Sequence, residues 1–122
     1  MGTKLSAKAQ QKLEVLTEAR RKWDRVHSLV EQYGSMKTGE DAFLSQIYRT
    51  ATDVARIFMN NGYGVMADSA NQLAMLAKRG SSKQTKLRTM RELIASVKAA
   101  IEHAEKMVAQ EDAKESESTS SD

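Results

Sequence analysis

The sequence predicts an all-α fold, an antiparallel four-helix bundle in which the helices run up-down-up-down. Four segments carry apolar residues at the 3.6-residue spacing of a helix face, and no segment shows the two-residue alternation of a strand. Glycine or asparagine separates these segments, and the 122 residues include no proline. Because glycine and asparagine favour helix ends and proline is the residue that most strongly interrupts a helix, four uninterrupted helices with short loops are expected.

The first two helices are predicted over residues 4–33 and 40–60. In the first, apolar residues recur from Leu13 to Tyr33, and Gly34 is expected to cap its C-terminus. The second begins with two acids, which the positive end of the helix dipole favours. It is expected to end at Asn60-Asn61-Gly62, whose residues accept the left-handed cap conformation.

Of the other two helices, the third is predicted to be short and the fourth to be long. The third is predicted over about 64–78, with Val65 and Met66 on its inner face, and it is expected to end before Gly80. The fourth begins after a cap at Ser81 or Ser82 and runs to about residue 110. We therefore expect one bundle domain over 1–110 and a disordered, acidic, serine-rich tail over 111–122, since the tail has no apolar residue to anchor it.

The charge is unevenly distributed along the chain. The net charge is +3, yet residues 111–122 contain five acids and one base, a balance of −4, which leaves +7 for residues 1–110. A basic body with an acidic tail is typical of proteins that attract polyanions. The chain has no cysteine and no apolar run long enough to span a bilayer, so a protein of the cytoplasm, without a transmembrane segment, is expected.

The clearest chemical signal is the basic stretch at the junction of the third and fourth helices. It has six positive charges and no negative charge, carried by Lys78, Arg79, Lys83, Lys86, Arg88 and Arg91. The N-terminus of a helix carries free N–H groups and a partial positive charge, so basic and hydroxyl side chains around it are suited to phosphate. On a helix that starts at Ser82, we expect Lys83, Lys86 and Arg91 to share the outer face. The alternative is a solvated loop and an ordinary polar helix face.

A second basic cluster lies on the first helix and consists of Arg20, Arg21, Lys22 and Arg25. Trp23 lies within it, but its spacing places it on the apolar stripe, so we expect it in the core. The four bases then form a fringe around the core, and some of them are expected to pair with acids at helical spacing.

Catalytic and metal-binding patterns are not evident. The two histidines lack the spacing of a metal motif, and no serine has an obvious base beside it in the sequence. The spacing of Arg21 and His27 resembles the Arg–His pair of helical ribonucleases of the HEPN type, which implies a small RNase, but Lys22 stands where that family usually has a polar residue. We expect no enzyme activity, no cofactor and no metal.

Three functional classes compete, and the third of them is the small RNase implied by the spacing of Arg21 and His27. The first is a non-enzymatic nucleic-acid-binding or ribonucleoprotein accessory subunit, whose basic clusters contact the phosphates of RNA or DNA. The second is a structural or adaptor bundle that acts through protein–protein contacts. In either of the first two classes we expect a homo-oligomer or a subunit of a larger complex, because the long first and fourth helices carry more apolar surface than two short helices can cover.

Overall fold

The computed structural model describes the backbone of residues 5–120 and the side chains of residues 5–115. This part of the chain forms four helices and no strand: α1 (Ala7–Ser35), α2 (Glu40–Asn60), α3 (Gly64–Lys78) and α4 (Lys83–Ser120). The all-α, four-helix prediction is confirmed. None of these helices is long and apolar enough to cross a membrane.

The helices are arranged in a ring around one main core. Helix α1 packs against α2 and α4, and α3 packs against the same two helices. The largest fully buried side chains come from all four helices and include Trp23, Tyr33, Ile47, Phe58, Leu73, Met90 and Ile101. Burial of these aromatic and aliphatic groups is the main source of stability, at about 1.5–3 kcal/mol for each.

Local signals in the sequence account for most of the helix ends. Ser6 caps α1, because its hydroxyl accepts a hydrogen bond from the backbone N–H of Ala9 at 3.1 Å. Gly62 adopts a φ of +83° in the α2–α3 turn, where an L side chain would be strained. The predicted cap at Ser82 is confirmed, since its hydroxyl accepts from the N–H of Thr85 at 3.3 Å.

Gly34 differs from the sequence prediction. Helix α1 continues through it to Ser35, and Met36 is the C-terminal cap residue. A Cβ at position 34 would lie 3.1 Å from a methyl group of Leu87. Gly34 therefore allows close approach of α1 and α4, and it does not end the helix.

Helix α4 also extends beyond its expected end. The disorder predicted from residue 111 is not confirmed, because the backbone is helical to Ser120; Ser121 and Asp122 lie outside the described residues. Asp112 accepts hydrogen bonds from the hydroxyl of Ser6 at 2.6 Å and from its backbone N–H at 3.1 Å. These bonds attach the acidic end of α4 to the start of α1, a partner that no local pattern in the sequence indicates.

The long helices pass beyond the α2–α3 turn. Helix α3 has 15 residues and α4 has 38, so α4 is about 35 Å longer at 1.5 Å per residue. In the extended region a small second core contains Ala9, Leu16 and Val108, and Tyr63 from the turn packs against it. We call this two-helix region, residues 7–16 of α1 and 104–115 of α4, the arm.

Candidate nucleic-acid interface

The basic stretch lies at one end of the bundle, together with the α1–α2 loop. This end, which we call the basic end, comprises residues 31–48 and 70–91 and contains seven Lys and Arg residues against three Asp and Glu residues. The bases are the six of the basic stretch and Lys37. Structure thus adds Lys37 and the three acids Glu31, Glu40 and Asp41, and the net charge of this end is +4.

Lys83 links three helices. Its Nζ donates to a carboxylate oxygen of Glu40 at 2.9 Å and to the carbonyl oxygen of Met36, and it lies 5.2 Å from the centre of the Tyr33 ring. The side chain is half-buried. This ammonium therefore neutralises the acid at the start of α2 and satisfies a carbonyl at the end of α1, which leaves it poorly available to a phosphate.

Two further bases of the stretch have partners within the chain. The guanidinium of Arg91 donates to both carboxylate oxygens of Glu31, at 2.9 and 3.0 Å. This bidentate bond lowers the pKa of the Glu31 carboxyl below its usual range. The ammonium of Lys78 lies 3.9 Å from the centre of the Tyr48 ring, a cation–π contact on an exposed surface. Both side chains remain exposed and keep part of their positive field.

The predicted position of Lys86 is wrong. Only 6% of its surface is exposed, because position 86 lies four residues before Met90 and shares the inner stripe of α4 with Met90, Ile94 and Val97. Its side chain makes no hydrogen bond or ion pair with the other described residues, and its Nζ still reaches solvent. The aliphatic stem fills the end of the core while the charge points outward, as is common for lysine.

Arg79, Arg88 and Lys37 are the exposed bases of this end without an ion pair in the described part of the chain. Arg79 follows the last residue of α3, Arg88 lies in the second turn of α4, and Lys37 lies in the α1–α2 loop. The sequence alone does not indicate Lys37, because it is 46 residues from Lys83 and only the fold brings the two loops together.

The second basic cluster does not form one surface. Arg20 is bound by Glu102 and Glu105 of α4, at 3.4 and 3.1 Å, and its Nε is buried without a hydrogen-bond partner. Lys22 pairs with Glu18 at 3.8 Å, as its helical spacing indicates. Arg21 and Arg25 are exposed.

Trp23 lies in the core, as predicted, and is 1% exposed. Its indole N–H donates to the carbonyl oxygen of Ile94 at 3.1 Å. It is therefore not available to stack on a base, and the cluster around it supplies charge alone.

The Arg–His pair on α1 does not converge on a common site. Arg21 and His27 are both exposed, and a separation of six residues turns their side chains about 120° apart on a helix. In the described part of the chain, no three His, Cys, Asp or Glu residues are placed to hold a metal ion. Comparisons with family models, with curated proteins and with solved structures found no match.

Proposed function

We propose that the chain is a non-enzymatic accessory or structural subunit that contacts the phosphates of RNA or DNA through its basic end. The observation that supports this best is the excess of four positive charges where the two loops meet the N-terminus of α4. Because phosphates carry no sequence information, such contacts position a nucleic acid without reading its bases.

The structure limits which residues can carry the contact. Arg79, Arg88 and Lys37 are exposed and have no ion-pair partner among the described residues, so a phosphate would not have to displace an acid from them. Arg91 and Lys78 contribute to the field in a weaker way, because each is already engaged. On α1, Arg21 and Arg25 are the two bases of the second cluster that remain exposed for a secondary contact.

The arrangement of the helices is part of the same proposal. Ser6 at the start of α1 bonds to Asp112 late in α4, and Glu31 at the end of α1 pairs with Arg91 early in α4. Three short loops join helices that are neighbours in the ring. Both observations support the up-down-up-down order, which places the α1–α2 and α3–α4 loops at one end. The cytoplasmic location remains a prediction from the sequence.

The test is salt-dependent binding to a fluorescein-labelled 20-nucleotide RNA, measured by anisotropy. The double variant Lys37→Glu, Arg88→Glu is expected to weaken binding by about tenfold or more at 100 mM salt. For each phosphate that the variant no longer neutralises, the slope of log K against log salt should flatten by about 0.7–0.9. Reversal of Lys83 and Lys86 is a poorer test, because the first change breaks the bond to Glu40 and the second buries an acid.

A matched control is available on the same helix. Lys106→Glu with Lys114→Glu makes the same charge change at exposed positions more than about 25 Å along α4. This control should weaken binding less than half as much, in log units, as the basic-end variant. Equal losses in both variants, or no salt-dependent binding by the unaltered chain, would contradict the proposal and favour the adaptor bundle.

A further inference from the structure

Two surface hollows lie along the side of the molecule where α3 and α4 meet, and we call them together the seam. The hollow nearer the basic end has an apolar floor of Met75, Leu76 and Leu93 beside polar residues of α3. The other hollow is lined by apolar residues of α3 and α4, by Tyr63 of the turn, and by Lys12 and Val15 of α1. Val65, expected on the inner face of α3, stands at its rim with 82% of its surface exposed, and Met75 is 52% exposed. The predicted inner position of Val65 is wrong, because its neighbour Met66 occupies the core position on this turn of the helix.

We propose that a second copy of the chain packs on the seam in an antiparallel, two-fold arrangement. Three of the four large hydrophobic side chains that are most exposed among the described residues, Val65, Met75 and Met107, lie along it. Small residues on α4, such as Ala100 and Ala104, allow close approach of another helix.

The size of the seam fits a weak, reversible dimer. From Thr89 to Glu111, α4 contributes about 33 Å of length, whereas α3 contributes only about 22 Å, and each helix is about 10 Å wide. This face of about 550 Å², before its corrugation is counted, is smaller than the roughly 800 Å² that each partner contributes to a standard stable interface and is typical of a transient one. A short peptide helix would cover only part of it.

Charge favours a second copy as the occupant. Arg79 lies at one end of the seam and Glu111 at the other, and both are exposed. A two-fold axis perpendicular to the helices would bring Arg79 opposite the partner's Glu111, and the same pairing would occur at the other end. The pair Arg79 and Glu111 is thus complementary to itself under the two-fold axis, as an isologous interface requires of its charges.

Sedimentation velocity of the full chain at 2–200 µM tests the inference. The expected result is a monomer–dimer equilibrium, with a dimer of twice the 13.6 kDa chain mass. Met75→Glu should raise the dimer dissociation constant by at least about tenfold, because it places a charge within the apolar contact. Met59→Glu is the matched control, since Met59 is 55% exposed, belongs to α2 and does not line the seam.

Charge exchange provides a second test that does not disturb the apolar residues of the seam. Arg79→Glu alone and Glu111→Arg alone should each weaken the dimer, and the double variant should recover most of the loss. Because these residues lie at opposite ends of one chain's seam, recovery requires contact between two chains. A monomer at 200 µM, equal effects of Met75→Glu and Met59→Glu, or no recovery in the double variant would overturn the inference. In such a dimer Arg79 would pair with an acid, and the phosphate contact would rest on Lys37 and Arg88, which do not line the seam and which are the residues changed in the binding test.

Discussion

At the scale of single residues, Trp23 joins α1 to α4 in two ways. It fills the core, and its indole N–H donates to the carbonyl oxygen of Ile94. Trp23→Ala should lower the free energy of unfolding by about 3–5 kcal/mol, through the loss of buried surface and the cavity left behind. Trp23→Phe keeps most of the apolar volume, so it should cost less than the alanine variant. Urea denaturation checks both, and a cost below about 1 kcal/mol for Trp23→Ala would contradict the packing described.

Removal of the Lys86 charge is expected to have the opposite effect on the free energy of unfolding. Its ammonium group points outward at the end of the core and has no ion-pair partner among the described residues, while its stem packs on the core. Lys86→Met keeps the stem and removes the charge, so the free energy of unfolding should stay the same or rise by up to about 1 kcal/mol. Lys86→Glu should lower it by more than about 1 kcal/mol, because a shorter side chain would hold an acid at the same depth. Thermal and urea unfolding of both variants measure these two changes in the free energy of unfolding.

Residue patterns explain why the predicted positions of Lys86 and Val65 are wrong. Each lies beside or near an apolar position, and the hydrophobic stripe can be drawn through either neighbour. The sequence indicates the period of the helix but not which neighbouring element covers which side. Conversely, the position of Trp23 is predictable because its bulk and spacing agree. The partners of Arg20, Lys83 and Arg91 are 43 to 85 residues distant, so no local pattern identifies them.

At the scale of the helix, the hydrogen-bonded pair Ser6 and Asp112 joins the start of α1 to α4 beside the small second core. Donors from Ser6 lower the pKa of the Asp112 carboxyl below its usual value near 4. A lowered folded-state pKa means that this pair stabilises the arm above about pH 4, and that the stabilisation disappears as pH falls through the lowered value. The amide proton shift of Ser6, followed by NMR, should therefore titrate below pH 4. Asp112→Asn should abolish this titration; an unchanged profile would contradict the contact.

Substitution of Ser6 is also expected to destabilise α1, because the Ser6 hydroxyl caps this helix. Ser6→Ala removes the cap on Ala9 and should lower the free energy of unfolding by about 0.5–2 kcal/mol. Ser35→Ala is a suitable control, because Ser35 is exposed at the other end of α1 and its hydroxyl bonds only to Gln32 of the preceding turn. If urea denaturation shows the same loss of unfolding free energy for both variants, the cap at Ser6 does not stabilise α1 as described.

Helix boundaries are largely predictable from the sequence, and the exceptions are informative. The predicted limits of the second and third helices agree with α2 and α3, because glycine, asparagine and acidic residues mark them locally. Gly34 is not a stop signal, since its lack of a side chain serves contact with Leu87. The predicted end of α4 at about residue 110 is too early, since the helix continues to Ser120, and the bond between Asp112 and Ser6 joins residues 106 positions apart, which no local pattern indicates.

At the scale of the whole molecule, the two cores differ in size. The main core has contributions from four helices, whereas the arm has only a few buried side chains from α1 and α4. Local opening should therefore require less free energy in the arm. Native-state hydrogen exchange should show faster exchange for amides of residues 9–16 and 104–112 than for those of 19–33 and 90–101. Uniform protection along α1 and α4 would show that the arm is as stable as the bundle.

The bonds between Ser6 and Asp112 also place two distant parts of the chain side by side. A short linker could join these positions with little change in loop-closure entropy, because the native fold already holds them together. The backbone could then be opened at Gly80 and Ser81, which are exposed and lie between α3 and α4. Such a circular permutant should retain the four helices and the main core while α4 becomes the first helix of the chain. The same structure would then form although the helices are synthesised in a different order.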